Sequence, residues 1–231
     1  GRFAMAGFLG SLAFTLETPA LLFAAFSGVL LCACDWRRTL LAFGPAMLVP
    51  IVAFLVSNKL CIGQWFPFQW SFPLHYDPYW QTPREMDSLM EPKLVYLFNL
   101  TFGHHGWFLL TPIFIIALVG IFRNLVDNRS ELQWLAMVML IISAAVLGFY
   151  VWKTNNYGGT TQGPRWLFWL IPMWLVMLPA GVEWFVRRAV GRWLSIVFLA
   201  VSVFSMAYSM NIPWQRSWIH EIAFRCGFIH F

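Results

Sequence analysis

Charge is what this sequence has least of. Only 11% of its residues are charged, against about 25% in a soluble domain, while 60% are hydrophobic. A water-soluble fold of 231 residues has no way to hide that much apolar surface, because its outer face must be wetted. Recognisable punctuation is scarce too. No signal peptide with a cleavage site is recognisable in the given residues, and they show no internal repeat, low-complexity tract, nucleophile triad, Walker loop or dinucleotide fingerprint. Cysteines number four, too few for a disulfide scaffold. No His, Cys or acidic residues stand at metal-ligand spacing, so no cofactor is identified and a divalent metal has no support from spacing.

What is present is apolar and aromatic. Spanning the hydrocarbon takes about 20 helical residues. Thr39–Val56, Leu132–Trp152, Trp166–Val186 and Trp193–Met210 fit, and Trp107–Phe122 fits if it borrows flanking residues. Phe3–Leu16 and Pro19–Cys34 are separated only by Glu17-Thr18. The first reaches only about 21 Å, so it is either one arm of a tight hairpin or a truncated helix. The hairpin is favoured. The expected fold is therefore all-α, a polytopic transmembrane bundle of about seven apolar helices, two of them short. It is read as one transmembrane domain over residues 1–231, and the start at Gly1-Arg2-Phe3 suggests the carboxy-terminal part of a longer protein.

The net charge of +5 does not point to nucleic acid, because the basic residues occur in ones and twos between apolar runs. They sort by side instead. Arg2, Arg37, Arg38, Arg123, Arg129, Arg187, Arg188 and Arg192 fall in short connections that alternation places on one side, cytoplasmic by the positive-inside rule. This predicts a multi-pass protein of the plasma (inner) membrane. The outer side then receives Glu17-Thr18, residues 57–106, the Lys153–Arg165 loop and the tail from Asn211. Residues 57–106 are rich in Pro and aromatics (Gln64-Trp65-Phe66-Pro67-Phe68-Gln69-Trp70) and are expected to lie on the membrane surface or cap the bundle. Residues 92–101 read as a short helix leading into the next span. Asp77, Glu85, Asp87 and Glu91 in that segment read as solvated or paired with Arg84 and Lys93. Cys32 and Cys34 are expected as small buried hydrophobes, and Cys61 and Cys226, both outer, as a conceivable disulfide.

Three stretches could carry chemistry. In Asn156-Tyr157-Gly158-Gly159-Thr160-Thr161-Gln162-Gly163-Pro164-Arg165-Trp166, glycines let backbone N–H groups approach an anion and Arg165 offers a two-pronged phosphate contact. A helix starting near Pro164 adds partial positive charge there. The same stretch reads equally well as a Gly-rich turn with a snorkelling Arg. In Gly103-His104-His105-Gly106-Trp107, one imidazole is expected to face a polar cavity and the other to pack. Glu17, between two short apolar helices, is either a cavity-facing carboxylate or a helix-capping acid, with capping favoured.

The break between short helices, Gly-His-His-Gly-Trp-Phe-Leu-Leu-Thr-Pro, and Asn-Tyr-Gly-Gly…Gly-Pro-Arg-Trp before a span together resemble the GT-C glycosyltransferases. Within them, the chain is similar to the dolichyl-phosphate-mannose–protein mannosyltransferase and lipid A aminoarabinose transferase group. The resemblance covers most of the chain as architecture, but only residues 103–112 and 156–165 are specific. It implies transfer of a sugar from a polyprenyl-phosphate donor on the outer face. Phosphate binding would fall to Arg165, Tyr157, Gly158, Gly159 and Asn156, with His104, His105 and Glu17 lining the cavity. The family's catalytic acid lies in its first outer loop, so it is expected upstream of Gly1, and Glu17 stands where relatives often carry a basic residue. Two other classes stay open: a transporter or flippase for a lipid-linked substrate, and a non-catalytic scaffold. Ionisable groups near mid-bilayer would mark the first, and an outer loop tolerant of substitution the second.

Overall fold

The computed structural model describes residues 1–67, 91–127, 130–153, 157, 161–212 and 214–228, and every described element is helical. Two compact units divide the chain, residues 1–82 and 83–231.

Among its described residues, unit 1 is an antiparallel arrangement of three helices. Helix α1 (Arg2–Leu16) ends where Glu17 turns extended, at φ −138° and ψ 109°, and Pro19 opens a 3-10 turn (Thr18–Ala20) into α2 (Leu21–Arg38). A Cβ on Gly10 would lie 3.3 Å from that of Ala24, so α1 and α2 fold back on each other about Glu17. The expected hairpin is present. Asp35 then breaks α2, at φ −156° and ψ 91°. Its Oδ1 accepts the Arg38 N–H at 3.0 Å and its Oδ2 pairs with Arg38 Nε at 3.2 Å, which caps the helical stretch that follows. A π-turn (Thr39–Phe43) leads into α3 (Gly44–Ile62). Gly28 faces the Phe43 ring, so the chain has reversed again. Gly7 meets the Phe43 carbonyl and Phe14 meets the Phe54 ring edge-on at 5.9 Å, so α1 and α3 run parallel. Gly63, at φ +74°, closes α3 in a left-handed cap where a side chain would be strained.

The helical stretch Thr18–Ile62 is bent at Asp35 into two apolar arms. Hydropathy and length give four segments able to cross a membrane among the described residues: Thr18–Ile62, Gln133–Trp152, Arg165–Phe185 and Ala189–Tyr208. Arg2–Leu16 and Ile113–Val126 are apolar but shorter. Cys32 and Cys34, expected to be buried, are exposed. They lie on a helix whose outward face is itself apolar, so burial against protein is not needed to shelter them from water.

Unit 2 holds α4 (Lys93–Thr101), α5 (Trp107–Leu110), α6 (Ile113–Val126), α7 (Gln133–Lys153), a 3-10 turn (Arg165–Leu170), α8 (Ile171–Phe185), α9 (Ala189–Tyr208) and α10 (Trp218–Arg225). The core is the α6–α8 pair. A Cβ on Gly120 would collide with the Met177 carbonyl, and one on Gly181 with the Ile116 carbonyl, so the two backbones touch where they cross. Small residues at such a crossing are how helices pack tightly when lipid supplies no hydrophobic drive. Phe114 lies beside Trp174 near one end, and Arg123 Nη1 donates to the Ala180 carbonyl at 2.6 Å near the other, so the helices run parallel. Arg123 also pairs with Glu183 at 3.9 Å. Parallel α6 and α8 require α7 to return the chain between them. Arg123 and the arginines after α8 therefore share one end of unit 2.

Polar tethers join the remaining helices. Trp174 Nε1 donates to Ser143 Oγ on α7 at 3.0 Å, Ser202 on α9 accepts the Ile113 N–H at 3.1 Å, and Trp218 Nε1 donates to Ser205 on α9 at 2.8 Å. The last of these holds α10 against the end of α9 opposite the arginines.

Candidate functional site

The site grows from the turn after α4. Phe102 and Gly103 N–H groups both donate to the Phe98 carbonyl, at 2.7 and 2.8 Å, ending the helix. Gly106 N–H then donates to the Gly103 carbonyl at 2.8 Å, which makes residues 103–106 a β-turn with the two histidines at its centre. Glycine is required at 103, because a Cβ there would strike the Asn99 side chain. A regular helix would fan adjacent side chains apart, but this turn brings them together. The two Nδ1 atoms lie 2.6 Å apart, with ring centroids at 4.7 Å.

Around this pair the chain assembles an aromatic and polar cluster. Tyr157 stacks on His105 at 4.4 Å with planes 5° apart and meets His104 and Tyr96 at 5.1 Å. Its hydroxyl donates to Glu91 Oε2 at 2.5 Å, and Asn99 Nδ2 donates to the same oxygen at 3.2 Å. His220 comes from α10, 5.3 Å from His104 and 6.1 Å from His105. Ser217 positions it. Its hydroxyl donates to the His104 carbonyl and accepts the His220 N–H at 3.0 Å, capping α10. Next to this cluster, Leu100, Leu147, Tyr150, Pro164, Trp166 and Leu167 form an apolar layer with no room for a water molecule.

Electrostatically the site keeps its bases neutral. Burial pushes His104 and His220 down to about 4, and His104 and Arg216 add to the effect at His220, which Glu221 partly offsets. His105 sits well below the usual imidazole range, chiefly through burial and then through His104, His220 and Arg216. Burial and the neighbouring Glu91 carboxylate raise Tyr157, so it remains a phenol that donates. The arrangement is a set of uncharged proton carriers beside a carboxylate and an arginine.

The expected residues divide. Tyr157, His104 and His105 come together. Arg165 is exposed at the start of the 3-10 turn, with its guanidinium over the Trp214 ring at 5.9 Å. Asn156, Gly158 and Gly159 lie outside the described residues, as do Asp77, Arg84, Glu85 and Asp87. Glu17 is half-buried at the unit 1 hairpin and makes no side-chain cap bond to the turn it precedes. Both histidines enter the cluster, His105 packed flat on Tyr157 and His104 half-buried. Glu91, read as a surface acid, turns toward Tyr157 and Asn99. His220 was not singled out, although Ser217 three residues ahead of it is an N-cap signal. All four cysteines are free, exposed thiols, with Cys61 in unit 1 and Cys226 in unit 2. Among the described residues, no three His, Cys, Asp or Glu side chains converge as metal ligands.

No family model, curated protein or solved structure matches the chain. The class that the fold defines is thus an all-helical protein with apolar segments of membrane-crossing length, carrying a histidine–tyrosine–glutamate cluster at one end of its larger unit.

Proposed function

We propose that this is a multi-pass plasma-membrane protein of glycosyltransferase type, transferring a sugar from a polyprenyl-phosphate donor to a hydroxyl acceptor at the outer face. The observation that carries the reading is the convergence of His104, His105, His220, Tyr157 and Glu91 at the end of unit 2 opposite Arg123. By the positive-inside rule, the end bearing Arg123, Arg187, Arg188 and Arg192 is cytoplasmic, which leaves the cluster outside.

The chemistry needs three things there. A leaving phosphate needs cations as its charge grows, and Arg165 and Arg216 are the candidates. The acceptor hydroxyl needs a base, for which Glu91 and the neutral imidazoles are available. The sugar carbon, passing through an oxocarbenium-like state, needs little water nearby, and the apolar layer beside the cluster restricts access.

Arg165→Ala is expected to abolish transfer from a polyprenyl-phosphate sugar while expression and folding persist. Normal turnover in that variant would remove Arg165 from the phosphate site. Orientation is tested separately. A Cys replacing Thr160 should react with an impermeant thiol reagent from outside, and one replacing Asn128 should not.

A further inference from the structure

We infer that His104 and His105 form a two-imidazole proton relay, which takes the proton from the acceptor hydroxyl and delivers it away from the reacting centre. The inference deepens the proposed transferase reading and rests on it for the identity of the hydroxyl. The relay itself stands on geometry.

Two Nδ1 atoms 2.6 Å apart must share one hydrogen, because each imidazole nitrogen either carries a proton or offers a lone pair. One ring is then the Nδ1–H tautomer and its neighbour the Nε2–H tautomer. The pair presents one free Nε2 lone pair and one Nε2–H. A proton arriving at the lone pair makes the first ring an imidazolium. Its Nδ1 proton crosses to the neighbour's Nδ1, and the neighbour releases its own Nε2 proton. Both rings end neutral with their tautomers exchanged, and one proton has crossed the pair.

The surroundings suit that task. His105 is 7% exposed and pressed flat on Tyr157, while His104 is only half-buried, so the pair joins the interior of the cluster to its surface. The charged and titratable groups facing it are Arg216, His220, Tyr157 and Glu91, with Glu221 beyond His220. Burial and Arg216 disfavour a resident imidazolium, so the pair rests neutral and passes a proton without keeping it. In the transfer, the acceptor O–H bond breaks as its oxygen bonds to the sugar carbon. The carbon–oxygen bond to the phosphate breaks, and the bonding pair leaves with the polyprenyl phosphate. The released proton exits through the relay to water or to that phosphate, which has become a monoester able to take it.

Histidine-selective 15N NMR of the full chain in lipid nanodiscs at neutral pH tests the relay without any turnover. The expected result is opposite tautomers at His104 and His105, assigned with His104→Gln and His105→Gln. The same tautomer at both would overturn the relay. A transfer assay tests its use. His104→Asn keeps an amide near the Nδ1 position but passes no proton, and should slow transfer about 100-fold or more, with partial rescue by added imidazole. A wild-type rate in that variant would overturn the relay's role. Opposite tautomers in a wild-type protein that transfers no sugar would sink the transferase reading and leave the relay standing.

Discussion

Tyr157 and Glu91 are 66 positions apart in the chain, yet the tyrosine hydroxyl donates to the glutamate carboxylate at 2.5 Å. This bond ties the loop after α7 to the residues before α4, and it does so beside two histidines that neither segment contains. The aromatic face of Tyr157 carries His105 while its hydroxyl orients Glu91, so one side chain serves both halves of the cluster.

Tyr157→Phe therefore keeps the stacking and removes the hydrogen bond. A bond to an ionised acceptor contributes roughly 1.5–3 kcal/mol, so the variant should lose stability on that order in denaturant titration. Glu91→Gln should cost less when added to Tyr157→Phe than when made alone, because the bond is already gone. Additive losses in that double-mutant cycle would mean the two side chains do not act as a pair.

The depressed imidazoles predict a pH dependence of the outer cluster. When the cluster opens, His104, His105 and His220 regain an ordinary pKa near 6.5, so the open state binds more protons than the closed one below that value. Stability is fully present above about pH 6.5 and falls as pH drops toward 4, with a slope of about 1.4 kcal/mol per pH unit for each histidine that takes up a proton on opening. The opening free energy from hydrogen exchange at the amides of residues 103–106, with the intrinsic rate corrected for pH, should fall across that window. Exchange that holds the same opening free energy from pH 7 to pH 5 would contradict the burial of these rings.

Gly120→Ala and Gly181→Ala each place a methyl group against a carbonyl of the facing helix, and backbone cannot move aside as a side chain can. Either should destabilise the α6–α8 pair by about 1–3 kcal/mol. Gly148→Ala, on α7 with open space around it, should be neutral or slightly stabilising through helix propensity. Thermal unfolding in detergent would separate them, and equal midpoints for all three would remove the close crossing as a determinant of stability.

Much of this was legible in residues read alone. The Glu17-Thr18-Pro19 break marked a hairpin because proline opens a helix but cannot continue one. The apolar runs marked membrane-length helices because only lipid tolerates so much unwetted surface. The reversal near Asp35 was legible too, because Arg37 and Arg38 separate the apolar runs Pro19–Cys34 and Thr39–Val56. The His104-His105 pair stood out as a candidate, but the turn that brings the two rings together did not. His220 and Glu91 were read past because the rings they approach, His104 and Tyr157, lie far away along the chain.

Composition and the order of apolar and basic stretches thus determined the class of protein and the hairpin at Glu17, since both depend on local properties: solvation, propensity and turn chemistry. Which side chains meet was decided only by tertiary structure. The 2.6 Å approach of His104 to His105 depends on a turn closed by Gly103 and Gly106 and pinned by Ser217, and Tyr157 reaches Glu91 only once α4 and α7 have packed. A hydrogen bond acts over a few ångströms in space and has no regard for distance along the chain.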